Sequence, residues 1–305
     1  VGTGIARIDY SSGEAALLIE PQRTNLITYS QLLSDNSWSK IRTSISSTLF
    51  TSPSDLVNSN KVIPSIDNNT HRLDLITTLI NNNTYCYSFF AKKQEINCVQ
   101  VEIGNNGVGA NFVNFNLETG VNTNFGTATS QMISLPNNWY RCVVFNSSTS
   151  WLAQRILIGL GNNDVYSFAG AENSGLLIWG AQLEIGNSTS SYISSDGAAV
   201  TRNQDLISKT GISDLINSQE GVFFLEMAAL SNNLAFREIS VTNGTNATKI
   251  VLRYNNTSNR IEARYFVSNV LEAAMTHDSA TIINFNKIAF KYKLNDFSLF
   301  VNGVK

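Results

Sequence analysis

Residues 111–117 read Asn-Phe-Val-Asn-Phe-Asn-Leu. Successive side chains of an extended strand point to opposite faces, so Phe112 and Asn114 fall on one side and Val113, Phe115 and Leu117 on the other. One side suits a core while the other stays partly wet, the habit of antiparallel sheets. Working outward, the same grammar returns at 84–90 (TYCYSFF), 98–103 (CVQVEI), 139–145 (WYRCVVF), 155–160 (RILIGL) and 176–185 (LLIWGAQLEI). The joints are short and rich in turn formers. Gly104-Asn105-Asn106-Gly107 and Gly161-Asn162-Asn163-Asp164 supply residues that tolerate positive φ. Parallel strands would need crossovers of about a dozen residues, usually helical, and few gaps have that character. The chain is therefore expected to be all-β, built from two packed antiparallel sheets.

Composition agrees with a packed core and sets limits on partners. In 305 residues, 43% are hydrophobic and 14% charged, against roughly 25% charged in an average globular protein. Asn fills about one position in eight, which is turn and loop chemistry. The formal net charge of −2 gives no positive field for a phosphate backbone, so nucleic acid is not an expected partner. No run of about 18 apolar residues predicts membrane insertion. Cys86, Cys98 and Cys142 lie inside apolar strand-like stretches and read as buried thiols. The N-x-S/T triplets at Asn68, Asn82, Asn146, Asn243 and Asn255 are what a chain rich in Asn, Ser and Thr produces by chance.

Organisation changes near residue 196. The stretch 196–218 is poor in aromatics and reads as a linker, after an N-terminal connector at 1–24 and a domain at 25–195. A second strand-rich region fills 219–305, with VFFLEMAAL at 222–230 and RIEARYFV at 260–267. In it Lys287, Lys291 and Lys293 alternate with Ile288, Phe290 and Tyr292, as on a strand with one solvated face. Asn302-Gly303 is a strong hairpin signal without a return strand, so this second domain is expected to be truncated.

Several stretches carry a resemblance. Residues 16–40 contain EPQRTNL, followed by YS and WSK; SFFAK stands at 88–92, FNLETG at 115–120, LPNNWYRC at 135–142, WGAQLEIG at 179–186 and TSSYISSDGAAVTR at 189–202. In this order they resemble a domain of bacteriophage tail-fibre and virion-fibre proteins. That resemblance implies a jelly-roll sandwich like those of carbohydrate-binding modules, an external virion location, other virion proteins as partners and a homotrimer; no heptad repeat is visible to argue trimerisation independently. The second region, ending in FSLFVNG (297–303), looks like part of a laminin-G or concanavalin-A-like lectin sandwich.

Catalytic and metal motifs are missing. His71 and His277 have neither a Cys nor a second His at ligand spacing, and G-x-S-x-G, H-E-x-x-H and phosphate-binding glycine loops do not occur. No cofactor is expected; Asp and Asn at turns leave calcium open. Sugar binding needs aromatic faces bordered by amides and carboxylates. Trp151, Tyr166 and Asp164 occupy predicted loop tips and are the candidate ligand contacts; Trp38, Trp139, Tyr140 and Trp179 read as packing residues. Arg23 and Arg202 are expected to clamp strands, with Glu20 or Asp196 as carboxylate partners. The expected function is non-enzymatic binding of host surface polysaccharide, against a purely structural spacer and a polysaccharide depolymerase. The last needs only two well-placed acids, for which Glu102, Glu118, Asp164, Glu172 and Glu184 are candidates.

Overall fold

The computed structural model describes residues 6–10, 13–105, 111–148, 153–278 and 280–305. Among the described residues there is no α-helix, and strands dominate. The chain divides into two compact units, Val1–Leu206 and Ile207–Lys305.

The first unit opens with β1 (Ile8–Asp9) and β2 (Ala16–Leu17), an antiparallel pair, and β3 (Arg23–Asn25). It continues through β4 (Trp38–Ile41), β5 (Thr43–Thr51), β6 (Val57–Pro64), β7 (Arg72–Ile76), β8 (Thr84–Lys93) and β9 (Cys98–Asn105). Then come β10 (Phe112–Asn116), β11 (Val121–Asn124), β12 (Thr129–Leu135), β13 (Trp139–Ser147), β14 (Ala153–Gly161), β15 (Leu176–Ile185) and β16 (Val200–Arg202). Two six-stranded antiparallel sheets result, with orders β11-β10-β9-β14-β7-β4 and β12-β13-β8-β15-β6-β5. The chain passes repeatedly from one sheet to the other, as in a jelly-roll sandwich. β16 pairs with β3, so Val200–Arg202 belongs to the first unit.

The period-2 pattern explains the layering. Val113, Phe115, Val99, Val101, Ile156 and Ile158 of one sheet meet Tyr85, Tyr87, Phe89, Ile178 and Leu183 of the other in a continuous buried core. Tyr87 stacks on Phe89, and Phe89 meets Phe115 edge-on at 6.4 Å, geometries that aromatic quadrupoles favour. Trp38 is fully buried there and donates from Nε1 to the Tyr29 carbonyl at 3.0 Å.

The outer faces of the two sheets differ. On the β8 sheet, Phe90, Trp139, Leu177 and Trp179 form a second apolar cluster, joined by Tyr192 from the segment that follows β15. Gly180 makes this possible: it interrupts the β15–β8 register at φ 65°, and a Cβ would stand 2.9 Å from the Phe90 ring. Beside the rings, Arg141 donates to Ser88 Oγ (2.9 Å) and the Ser190 carbonyl (2.8 Å), and Glu184 accepts from Gln182 Nε2 (2.8 Å) and Ser190 N–H (3.1 Å). Thus residues 186–195 cover this face.

The second unit is a smaller two-sheet sandwich. Its strands are β17 (Glu220–Met227), β18 (Arg237–Thr242), β19 (Lys249–Tyr254), β20 (Ile261–Val267), β21 (Val270–His277), β22 (Asn286–Lys293) and β23 (Ser298–Val301). Sheets β17-β22-β23 and β18-β19-β20-β21 enclose Leu252, Tyr254, Ile261, Ile288 and Phe290. Lys287 and Lys293 lie exposed on the opposite side of β22 from those buried residues.

Candidate functional site

The outer face of the β9 sheet is polar where that of the β8 sheet is apolar, and among the described residues no segment corresponding to 186–195 lies across it. Strand parity places Arg72 and Asp74 of β7, Arg155, Leu157, Gly159 and Gly161 of β14, Cys98, Gln100 and Glu102 of β9, and Phe112, Asn114 and Asn116 of β10 on this side. The registers align them in rows. Arg72, Gly159, Gln100 and Asn114 form one; Asp74, Leu157, Glu102 and Phe112 form the next. With neighbouring strands about 4.8 Å apart, each row runs about 14 Å across the sheet.

Gly159 of β14 leaves the middle of this band without a side chain, whereas the space over Gly161 is filled by the Tyr166 ring. The walls of the band are amides and charges. Gln100 Nε2 donates to Asn114 Oδ1 at 2.9 Å, and Arg72 Nε donates to Asp74 at 3.1 Å. Arg155 is placed differently: Nη1 lies 3.5 Å from Asp74 and Nη2 3.8 Å from Glu102. Those are ion-pair separations, too long for good hydrogen bonds, and the buried Arg155 Nε has no partner. The guanidinium is held in place by charge while its donors stay uncommitted. Burial pushes the Glu102 carboxyl above its usual range, with Asp74 adding to the rise and Arg155 opposing it.

An aromatic platform borders the band. Phe112 stacks on Phe125 with ring centroids 4.4 Å apart and planes 23° from parallel, and Phe125 is 38% exposed. Sequence reasoning did not single out these two rings. The signal was present: Phe112 shares its strand face with Asn114, and a large ring on the polar side of a strand is out of place unless something covers or uses it.

The predicted contacts fall as follows. Trp151 lies outside the described residues, as do Asn106 and Gly107 of the first predicted turn. Tyr166 and Asp164 belong to the turn after β14. Asn163 (φ 50°) and Asp164 (φ 62°) make a two-residue hairpin turn closed by mutual bonds of Asn162 and Val165 at 2.9 and 3.0 Å. Asp164 accepts from Asn116 Nδ2 (3.2 Å) and Cys98 Sγ (3.3 Å), so its carboxylate is engaged within the fold. The Tyr166 ring lies over Gly161 and Cys98 at the end of the band. A Cβ on Gly161 would sit 2.5 Å from Tyr166 Cε1. Tyr166 is half-buried, its hydroxyl is buried without a partner, and burial pushes that phenol upward. It closes the trough at one end more than it offers a free stacking face.

The other candidates disperse. Glu118 pairs with Lys93, Glu172 is exposed, and Glu184 is bound up beneath the covering segment. Cys86, Cys98 and Cys142 are all buried free thiols; desolvation raises Cys98 to about 11 and Cys86 to about 12. Among the described residues, no three His, Cys, Asp or Glu side chains converge as metal ligands. Nor is any helix long and apolar enough to cross a membrane.

Of the predicted clamps, Arg202 pairs with Glu20, and Arg7 joins it by bonding both Glu20 and Asp205. Glu20 also accepts the Ser191 N–H at 2.7 Å. Burial works to raise this carboxyl, but Ser191, Arg7 and Arg202 outweigh it and hold it below 4.5. Arg23 takes neither expected carboxylate; it donates to the Gln22 carbonyl at 3.3 Å and its Nε is buried without a partner.

No protein-family model and no curated protein sequence matches this chain.

Proposed function

We propose that this protein is a non-enzymatic, glycan-binding component of a bacteriophage virion fibre, acting as an external homotrimer that contacts host surface polysaccharide. The virion setting and the trimer rest on the resemblance described above. The binding reading rests on the open face of the β9 sheet, and one observation carries it: Arg155, fixed between Asp74 and Glu102 yet with uncommitted donors. A sugar ring stacked on Phe112 and Phe125 would present its hydroxyls to Glu102, Arg155, Gln100 and Asn114, which supply both acceptors and donors. Such a shallow site binds weakly. Three copies on one fibre raise the effective affinity without new contacts.

Glycan-array binding of the full chain, alongside Phe125→Ala and Gln100→Ala, tests the reading. Binding by the parent that falls at least about tenfold in either variant supports it; binding unchanged in both contradicts it. The spacer reading draws on a specific observation too, namely Asp164 and Tyr166 being engaged in packing, and it predicts no array signal at all. A depolymerase would draw on Asp74 and Glu102, two acids flanking Leu157 on one face, and would release reducing sugar from host polysaccharide.

A further inference from the structure

Arg23 is a cation that the first unit leaves without a counterion. It stands directly opposite Arg202 in the β3–β16 register, a position in which like charges repel. Arg202 is compensated: it pairs with Glu20 and donates to the Pro21 carbonyl at 3.0 Å. Arg7 shares Glu20 and takes Asp205 as well. Both acids of this cluster are thus used by Arg7 and Arg202, and Arg23 is the cation in excess. Glu184, just before Ile185, is bound to Gln182 and Ser190. Among the described residues, Arg23 engages one of its five N–H donors, from Nη1 to the Gln22 carbonyl at 3.3 Å, while Nε is buried without a partner. An unmet buried donor on a charged group is costly.

The guanidinium is nevertheless firmly seated. Gly186, at φ 141°, passes so near that a Cβ there would lie 3.2 Å from Arg23 Nη2 and 3.5 Å from Cζ. Gly186 N–H is itself tied to the Thr84 carbonyl at 2.9 Å. Asn25, at the end of β3, fixes that strand through Nδ2 to the carbonyls of Ala181 (3.1 Å) and Ile193 (2.8 Å). Beside Arg23 opens a pocket of about 310 Å³, lined also by Gln22, Thr24, Leu26 and Ile185. That volume is at the small end of sites for small molecules, roughly 300–1,000 Å³. One side offers apolar surface from Leu26 and Ile185; the other offers an amide, a hydroxyl and the uncommitted guanidinium.

We propose that this pocket is a second saccharide site, selective for a pyranose that carries a carboxylate, with Arg23 pairing the acid. The excess is one positive charge, which a carboxylate cancels and a phosphate monoester, at about −1.5 to −2, overshoots. Two parallel N–H groups of a guanidinium match a carboxylate's two oxygens. Gln22 and Thr24 then meet ring hydroxyls while Leu26 and Ile185 face the C–H side of the sugar. The need for an anion follows from the charges alone; that a saccharide supplies it rests on the glycan-binding reading given above.

The test is an NMR titration of the nitrogen-15-labelled full chain with methyl glucuronoside, beside its neutral twin methyl glucoside, at constant ionic strength. The Arg23 Nε–H signal, assigned by its absence from Arg23→Gln, and the Gly186 amide are expected to shift with the uronoside and not with the glucoside. Affinity should fall at least about tenfold in Arg23→Gln, the loss of a charge-assisted hydrogen bond. Should that variant not fold, the comparison of the two sugars on the parent still decides. No shift at Arg23 with the uronoside, or equal shifts with both sugars, overturns the proposal. So does an Arg23 Nε–H signal that moves with protein concentration and ignores the uronoside, since an acid of a second copy then fills the pocket. Uronoside shifts confined to the β9 sheet would remove this site and keep the earlier reading; shifts at Arg23 with a silent β9 sheet would do the reverse.

Discussion

Replacing Gly161 with Ala tests whether the Tyr166 ring is truly seated in the trough. The new Cβ would lie 2.5 Å from Tyr166 Cε1, 2.7 Å from Cδ1 and 3.0 Å from Cys98 Cβ. Ordinary carbon contacts are about 3.5–4.0 Å, so the ring must withdraw by more than about 1 Å. The glycine lies within a β-strand and is absent from the positive-φ residues, so the cost comes from overpacking alone, about 1–3 kcal/mol. All four tryptophans lie in the first unit, and their fluorescence during urea unfolding follows that unit without interference from the second. With m near 2 kcal/mol/M, the midpoint should fall by about 0.5–1.5 M. A double-mutant cycle isolates the cause: in a Tyr166→Ala background the Gly161→Ala cost should shrink to what the 3.0 Å approach to Cys98 Cβ leaves, and the difference is the coupling between the two sites. Cys98, shielded by this ring, should also become open to alkylation in Gly161→Ala. An unchanged midpoint, or an equal loss in both backgrounds, would refute the placement of Tyr166.

Four further outcomes follow from the same contacts. Phe115→Ala should cost the first unit about 3–5 kcal/mol, because it empties a fully buried aromatic site between the sheets; urea unfolding measures it. Tyr166→Phe should leave that midpoint unchanged or slightly raised, since the hydroxyl it removes is buried without a partner. Glu20 is held below 4.5 in the fold, so its stabilisation is complete above that pH and is lost as pH falls through the lower folded value; Glu20→Gln should cost about 2–3 kcal/mol near neutral pH, less than a fully enclosed pair, and flatten the acid limb of the stability curve. Glu102 moves the other way: its carboxyl protonates above 4.5, so glycan binding that uses it as an acceptor should weaken as pH falls toward that range, and Glu102→Gln should lose this dependence.

Much of the fold was legible because a period of two residues is a local property. The alternation in 111–117 separated Phe112 and Asn114 from Val113 and Phe115, and the structure buries the second pair between the sheets. The turn at 161–164 was equally readable, since Asn163 and Asp164 tolerate the left-handed region it requires. Which outer face residues 186–195 cover was not. That depends on residues 186–195 returning across the β8 sheet to bring Tyr192 onto Trp179 and onto Phe90, the latter about a hundred residues away along the chain. The open band is likewise assembled from four strands, and no single segment shows Arg72, Gln100, Asn114 and Arg155 together. Tyr166 was legible as a turn residue but not as a ring folded back, because the space over Gly161 and Cys98 exists only once β9 and β14 pair.

The most direct measurement is a backbone amide NMR titration of the full chain with a glycan retained on the array. The account predicts that shifts concentrate on β7, β9, β10 and β14 around Arg72, Gln100, Glu102, Asn114 and Arg155, and at Phe125. Shifts centred on the covered face of the β8 sheet, or confined to the second unit, would contradict it.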